Sequence, residues 1–150
     1  MSDLSELYGD VILEHYKRPR NFKLIPDATH KAAGANPLCG DHIQVFLKMD
    51  GEKIADIGFM GNGCAISRAA ASIMTQEILG KSRAEAEGLF GRYHAMVTRE
   101  PGKPYVGEDL GKLAIFAGVA EFPVRVKCAT LAWHAMEAAL KGKAETVSTE

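Results

Sequence analysis

The sequence has too little cysteine for a disulfide framework and too little positive charge for a nucleic-acid surface. Three cysteines cannot form a closed set of bridges, and in a reducing compartment they stay thiols. An odd count then points to packing, metal binding or reactivity. Lys and Arg number 18 against 19 Asp and Glu, for a formal net charge of -1. No global basic field draws such a chain to nucleic acid. No apolar run approaches the roughly 20 residues needed to span a bilayer. The start, Met1-Ser2-Asp3-Leu4-Ser5-Glu6, is acidic and polar, the wrong beginning for a signal peptide. The expected location is therefore the cytoplasm. Internal repeats, linkers and low-complexity tracts are absent too, so residues 1–150 read as a single domain.

What is present is the balance of a folding chain, with 47% hydrophobic and 25% charged residues. Leu4, Leu7, Val11, Ile12 and Tyr16 recur at helical spacing, and Pro19 ends that first helix. Pro19, Pro26, Gly34, Pro37 and Gly40 make residues 18–40 loop-rich, with a third strand expected somewhere within 24–33. Ile43, Val45, Leu47 and Met49 then alternate with His42, Gln44, Phe46 and Lys48. Asp50-Gly51 is a hairpin turn, and residues 54–60 form the returning strand.

Gly61-Asn62-Gly63-Cys64 opens onto an alanine-rich helix from 65 to 79 that stops at Gly80. Ser82 with Glu85 is a capping box for another helix, running to about 97. Breaks follow at 101–104 and 122–123, with a short helix near 108–119 between them. A strong helical pattern fills 128–140, Gly142 closes it, and the tail from Lys143 reads as frayed. Strands followed by helices predict an α+β fold: a small antiparallel β-sheet with helices packed on one face.

The cysteines fall at the joints of this pattern. Cys39 lies in a loop entering the first hairpin strand, Cys64 at the glycine-rich junction before a helix, and Cys128 where the last helix is expected to start. Helix N-termini favour thiolate over thiol. Thiolates are the soft ligands that zinc and iron prefer, and zinc in proteins is usually four-coordinate. Asp41 stands two residues from Cys39, across a Gly40 that frees the backbone to aim both side chains at one point. There is no Cys-x-x-Cys pair, however. Spacing by itself leaves a shared metal site and three unrelated buried cysteines both open.

Four segments carry a resemblance: YGDVILEHYKRPRNF from Tyr8, NPLCGD from Asn36, FMGNGCAISRAAAS from Phe59 and RVKCATLAW from Arg125. Together they resemble the SufU branch of the IscU/SufU (NifU N-terminal-like) iron–sulfur cluster assembly proteins. The resemblance implies that Cys39, Asp41, Cys64 and Cys128 are metal or cluster ligands. IscU scaffolds carry a histidine immediately before their last cysteine, and here that residue is Lys127. The SufU branch lacks this histidine and carries an insertion, placed here within about 101–122.

The implied activity is that of a zinc-dependent sulfurtransferase. It would accept persulfide sulfur from a SufS-like, pyridoxal-phosphate-dependent cysteine desulfurase and serve downstream cluster-assembly proteins. The alternative is a scaffold that assembles a labile [2Fe–2S] cluster, or holds iron, on the same residues. Cys39, in its flexible glycine-flanked loop, is the candidate acceptor, and a histidine of the desulfurase could replace it at the metal. Arg125 and Lys127, before Cys128, are candidates for stabilising thiolate or persulfide charge.

Plainer readings accompany these. The metal site could be purely structural, Asp41 could simply cap a turn, and Arg125 could pair with an acid such as Glu121. Lys127 reads as solvated, and the basic run Lys17-Arg18-Pro19-Arg20 as a solvated face or a docking surface. Strand alternation turns His42 away from Asp41. His15, His30, His94 and His134 read as surface or helix-face residues, and Trp133 and Met136 as core.

Overall fold

A computed structural model describes residues 9–105, 110–142 and 147–148. In chain order the elements are α1 (Asp10–Lys17), β1 (His30–Asn36), β2 (Asp41–Asp50), β3 (Lys53–Asn62), α2 (Ala65–Ile78), α3 (Arg83–Val97), a 3-10 segment (Gly111–Glu121), α4 (Pro123–Leu140) and β4 (Val147–Ser148). Strand order in the sheet is β3-β2-β1-β4. The first three strands are antiparallel, and β4 adds two residues in parallel against Gly34 and Ala35.

Alternation on β2 sorts the faces as expected. Ile43, Val45 and Leu47 are fully buried on the side covered by α4, which packs on β1 and β2, while α2 packs on α4 and α1 on α2. Phe90 and Tyr93 of α3 stack on Trp133 of α4, with ring centroids 5.7 and 5.0 Å away. Trp133 and Met136 are core residues. The capping box forms as expected: Ser82 Oγ accepts from the Glu85 N–H, and Glu85 Oε1 accepts from the Ser82 N–H.

Several boundaries differ from the sequence reading. The third strand is β1, which starts inside the expected 24–33 and runs on to Asn36, and the short helix is a 3-10 segment beginning at Gly111. The expected start of the first helix and residues 108–109 lie outside the described residues. Part of the tail expected to fray instead pairs with β1. Most consequential is α4, which starts at Pro123 rather than near Cys128, because proline suits the first turn of a helix, whose N–H groups have no partner anyway.

Gly61 lies in β3 beside the start of β2. Its φ is +130°, and a Cβ there would stand 2.1 Å from the His42 carbonyl oxygen. Backbone cannot yield as a flexible side chain can. Gly61→Ala should therefore cost roughly 2–4 kcal/mol, the scale of strain at special backbone positions. Urea unfolding would read it, and a variant as stable as the parent would show that this strand end gives way.

His15 corrects an expectation: it is 2% exposed, not a surface residue. Its Nδ1 lies 2.7 Å from Ser72 Oγ, which also accepts the Arg20 backbone N–H at 2.8 Å. The Ser72 hydroxyl thus has its proton to give, and a neutral Nδ1 accepts it. Burial, helped by the charges of Arg20 and Lys112 and opposed by Glu14, pulls the His15 pKa from 6.5 to about 4. The unfolded chain then binds a proton that the folded one refuses, so stability is lost as pH falls from 6.5 towards 4. The loss should be at most about 3 kcal/mol, at ~1.4 kcal/mol per unit. Denaturant titrations at pH 7 and 4.5 should show a smaller drop for His15→Asn than for the parent. Equal drops would rule His15 out as the source.

Candidate metal and sulfur site

The β1–β2 turn, the first residue of β2, the start of α2 and the second turn of α4 meet at one end of the sheet. Cys39 sits in that turn, its N–H donating to the Asn36 carbonyl at 3.2 Å, and Gly40 takes φ +73°. Cys39 is exposed. Asp41 opens β2 and is only 3% exposed, while neighbouring His42 points to solvent as alternation required. The Asp41 carboxylate reaches the next joint, where Oδ1 accepts the Cys64 N–H at 3.0 Å and Oδ2 lies 3.8 Å from Cys64 Sγ. Cys64 is the N-cap residue of α2 and makes no side-chain cap bond of its own. The Asp41 carboxylate takes that place, where a negative charge complements the helix dipole.

Cys128 is fully buried in α4. With the helix starting at Pro123, it lies beyond the first turn. The dipole argument holds for Cys64 and fails for Cys128. Cys128 Sγ stands 3.9 Å from Cys39 Sγ and 4.0 Å from the Asn36 amide nitrogen, a donor. The donor atoms of Cys39, Asp41 and Cys128 all lie within 4.8 Å of one another. Cys64 stands outside that mutual trio and meets it at Asp41 and Cys128.

These residues fit a tetrahedral ion. Bonds of ~2.3 Å to sulfur imply donors spaced about 3.8 Å apart, close to the 3.9 and 3.8 Å seen for Cys39–Cys128 and Asp41–Cys64. Three sulfurs and one carboxylate also form a donor set suited to zinc or iron. In the metal-free protein, hydrogen bonding from Cys128 lowers the Cys64 pKa to about 6, against the effect of burial. Cys128 is pushed up correspondingly by that contact and by its own burial. One of this sulfur pair is thus ready to be thiolate near neutral pH.

Arg125 is half-buried and precedes Cys128 by one helical turn. Lys127, read as solvated or as a stabiliser of sulfur charge, lines a hollow with Cys39. Two further residues were missed. Buried Asn36 presents its amide to Cys128, with Oδ1 unpartnered among the described residues. Ser67, one turn after Cys64, places Oγ 3.6 Å from Cys64 Sγ. The Asn-x-x-Cys and Cys-x-x-Ser spacings were visible, but nothing in them marked the polar residue as a neighbour of sulfur.

The family model for the NifU-like N terminal domain matches residues 7–129, taking in all four of these site residues. The chain belongs to this NifU-like family. Among its relatives, the iron–sulfur cluster assembly scaffold protein IscU of Streptococcus pyogenes serotype M1 is 42% identical over 144 residues, covering 96% of this chain and 89% of that protein. The zinc-dependent sulfurtransferase SufU of Bacillus subtilis strain 168 is also 42% identical, over 137 residues, covering 91% and 90%. A crystal structure from Fervidobacterium islandicum AW-1, described as an iron–sulfur cluster assembly scaffold protein for the SUF system, superposes with a TM-score of 0.82 at 34% identity, covering 89% and 96%. This NifU-like chain is thus an iron–sulfur cluster assembly protein of the IscU/SufU family. Among its described residues no helix is long and apolar enough to cross a membrane.

Proposed function

We propose that this protein is a zinc-dependent sulfurtransferase, accepting persulfide sulfur on Cys39 from a pyridoxal-phosphate-dependent cysteine desulfurase in the cytoplasm. The observation that carries the reading is the asymmetry of the site: the donors gather around one exposed cysteine, with a carboxylate in place of a fourth thiolate. Cys39, Asp41, Cys64 and Cys128 would hold the zinc. Bound there, zinc stabilises thiolate over thiol without redox chemistry of its own.

The remaining work belongs to the chain. Cys39, in its turn, presents a thiolate to the outer sulfur of the partner's persulfide. A new S–S bond forms on Cys39, the partner's S–S bond breaks, and the partner's cysteine keeps the electron pair as thiolate. Asp41 and the two less exposed cysteines stay behind and keep the site assembled. Arg125, one turn before Cys128, adds positive charge where sulfur anions collect.

A second reading has its own support, because the streptococcal relative named as a scaffold is as similar as the one named as a sulfurtransferase. On that reading the four residues carry a [2Fe–2S] cluster as cargo. Turnover of the cognate desulfurase, with and without the zinc-loaded protein, separates the two. Strong stimulation that vanishes when zinc is stripped is the expected result. No stimulation, with a transferable cluster formed under anaerobic conditions, would establish the scaffold instead.

A further inference from the structure

Beside Cys39 lies a hollow of about 180 Å³, lined by Asn36, Leu38, Cys39, Pro123, Val124 and Lys127. That volume is below the 300–1,000 Å³ usual for small-molecule sites, so it suits the tip of a side chain better than a free cofactor. Its rim is apolar and unusually bare, with Leu38 69% and Val124 59% exposed. Lys127 is the cationic residue of this lining. The ion pairs among the described residues are Arg20–Glu14, Lys23–Asp56, Lys48–Asp27, Arg83–Glu52 and Lys141–Glu137, and none engages Lys127. The first turn of α4, through Pro123 and Val124, also turns its positive end to this hollow.

We infer that this hollow is the seat of the incoming persulfide and that Lys127 is the counter-ion of its terminal sulfur. The inference rests on the sulfurtransferase reading and assigns a residue to it. Transfer brings two anions together, the Cys39 thiolate and the partner's persulfide, and leaves two anions afterwards, the Cys39 persulfide and the partner's thiolate. Charge is conserved throughout, and the mutual repulsion of the two sulfurs is what a nearby cation offsets. Apolar walls serve the same end, because they exclude water that would screen the attraction. They also suit sulfur, a large polarisable atom that packs well against aliphatic groups.

The test follows persulfide formation on Cys39 by mass spectrometry in zinc-loaded protein, with two donors: the desulfurase, and inorganic polysulfide, a small sulfur anion with no protein surface. Lys127→Met removes the charge and keeps the bulk, and Lys127→Arg restores the charge. Lys127→Met should react about tenfold slower with both donors, the scale of one charge-assisted interaction. Lys127→Arg should recover most of the rate, and both variants should hold the parent's zinc. A loss seen with the desulfurase alone would make Lys127 a docking contact and overturn the inference. Loss of zinc together with rate would make it structural, with the same consequence. Unchanged rates in Lys127→Met would refute the inference while leaving the sulfurtransferase reading standing. A parent protein that takes no sulfur from the desulfurase would remove both.

Discussion

Asp41→Ala should abolish stimulation of the desulfurase and weaken zinc binding by about 10- to 100-fold, the range for perturbing groups at a metal site. The carboxylate has two tasks that the substitution removes together. Oδ2 lies 3.8 Å from Cys64 Sγ, and Oδ1 accepts the Cys64 N–H at 3.0 Å. Losing the second leaves the Cys64 N–H without its acceptor, which costs about 1 kcal/mol. Asp41→Asn separates the tasks, because its amide oxygen can still accept the N–H while the negative charge is gone. It should melt close to the parent yet bind zinc nearly as poorly as the alanine variant. Competition against a chromophoric chelator gives the affinity and a thermal scan the stability. Parent-like zinc affinity in Asp41→Ala would mean that the fourth donor lies elsewhere.

Cys39→Ser should reduce the uptake of labelled sulfur from the desulfurase to background. The structural argument is access: Cys39 is the exposed cysteine, Cys64 is half-buried and Cys128 fully buried. A persulfide carried by another protein can meet only a sulfur at the surface, and a serine hydroxyl is no nucleophile towards sulfur. Cys64→Ser and Cys128→Ser should lose activity too, through the zinc that they, like Cys39, help to hold. Uptake by Cys39→Ser at the parent rate would move the acceptor to one of those inner sulfurs.

Much of this arrangement could be read before the fold was known, and the residues show why. The β2–β3 hairpin announced itself by alternation and by Asp50-Gly51, and α3 by its capping box. β1 carries Ala32, Ala33, Gly34 and Ala35, whose small side chains give no period to read. At Gly34 the reason is that α4 lies directly on the strand: a Cβ there would stand 2.9 Å from Leu131 Cδ1. That constraint comes from a residue about a hundred positions away and leaves no local trace. Pro123 misled for a different reason, since a proline that breaks one helix and a proline that opens the next look alike. The four candidate ligands came from motif resemblance more than from spacing. Asn36, Ser67 and buried His15 escaped because their roles depend on contacts between elements distant in sequence.

The short β4 has a consequence for how this protein behaves in company. An unpaired strand at a sheet margin is a template for a second chain, and repeated pairing of that kind leads to aggregation. Here both margins are occupied. The Phe59 N–H of β3 is taken by the Asn21 carbonyl, with Phe22 bridged alongside, and Val147 and Ser148 lie along Gly34 and Ala35 of β1. A chain cut after Gly142 would keep every candidate ligand yet bare the β1 margin. Two residues that supply no ligand thus cover part of a margin that a neighbouring copy would otherwise meet.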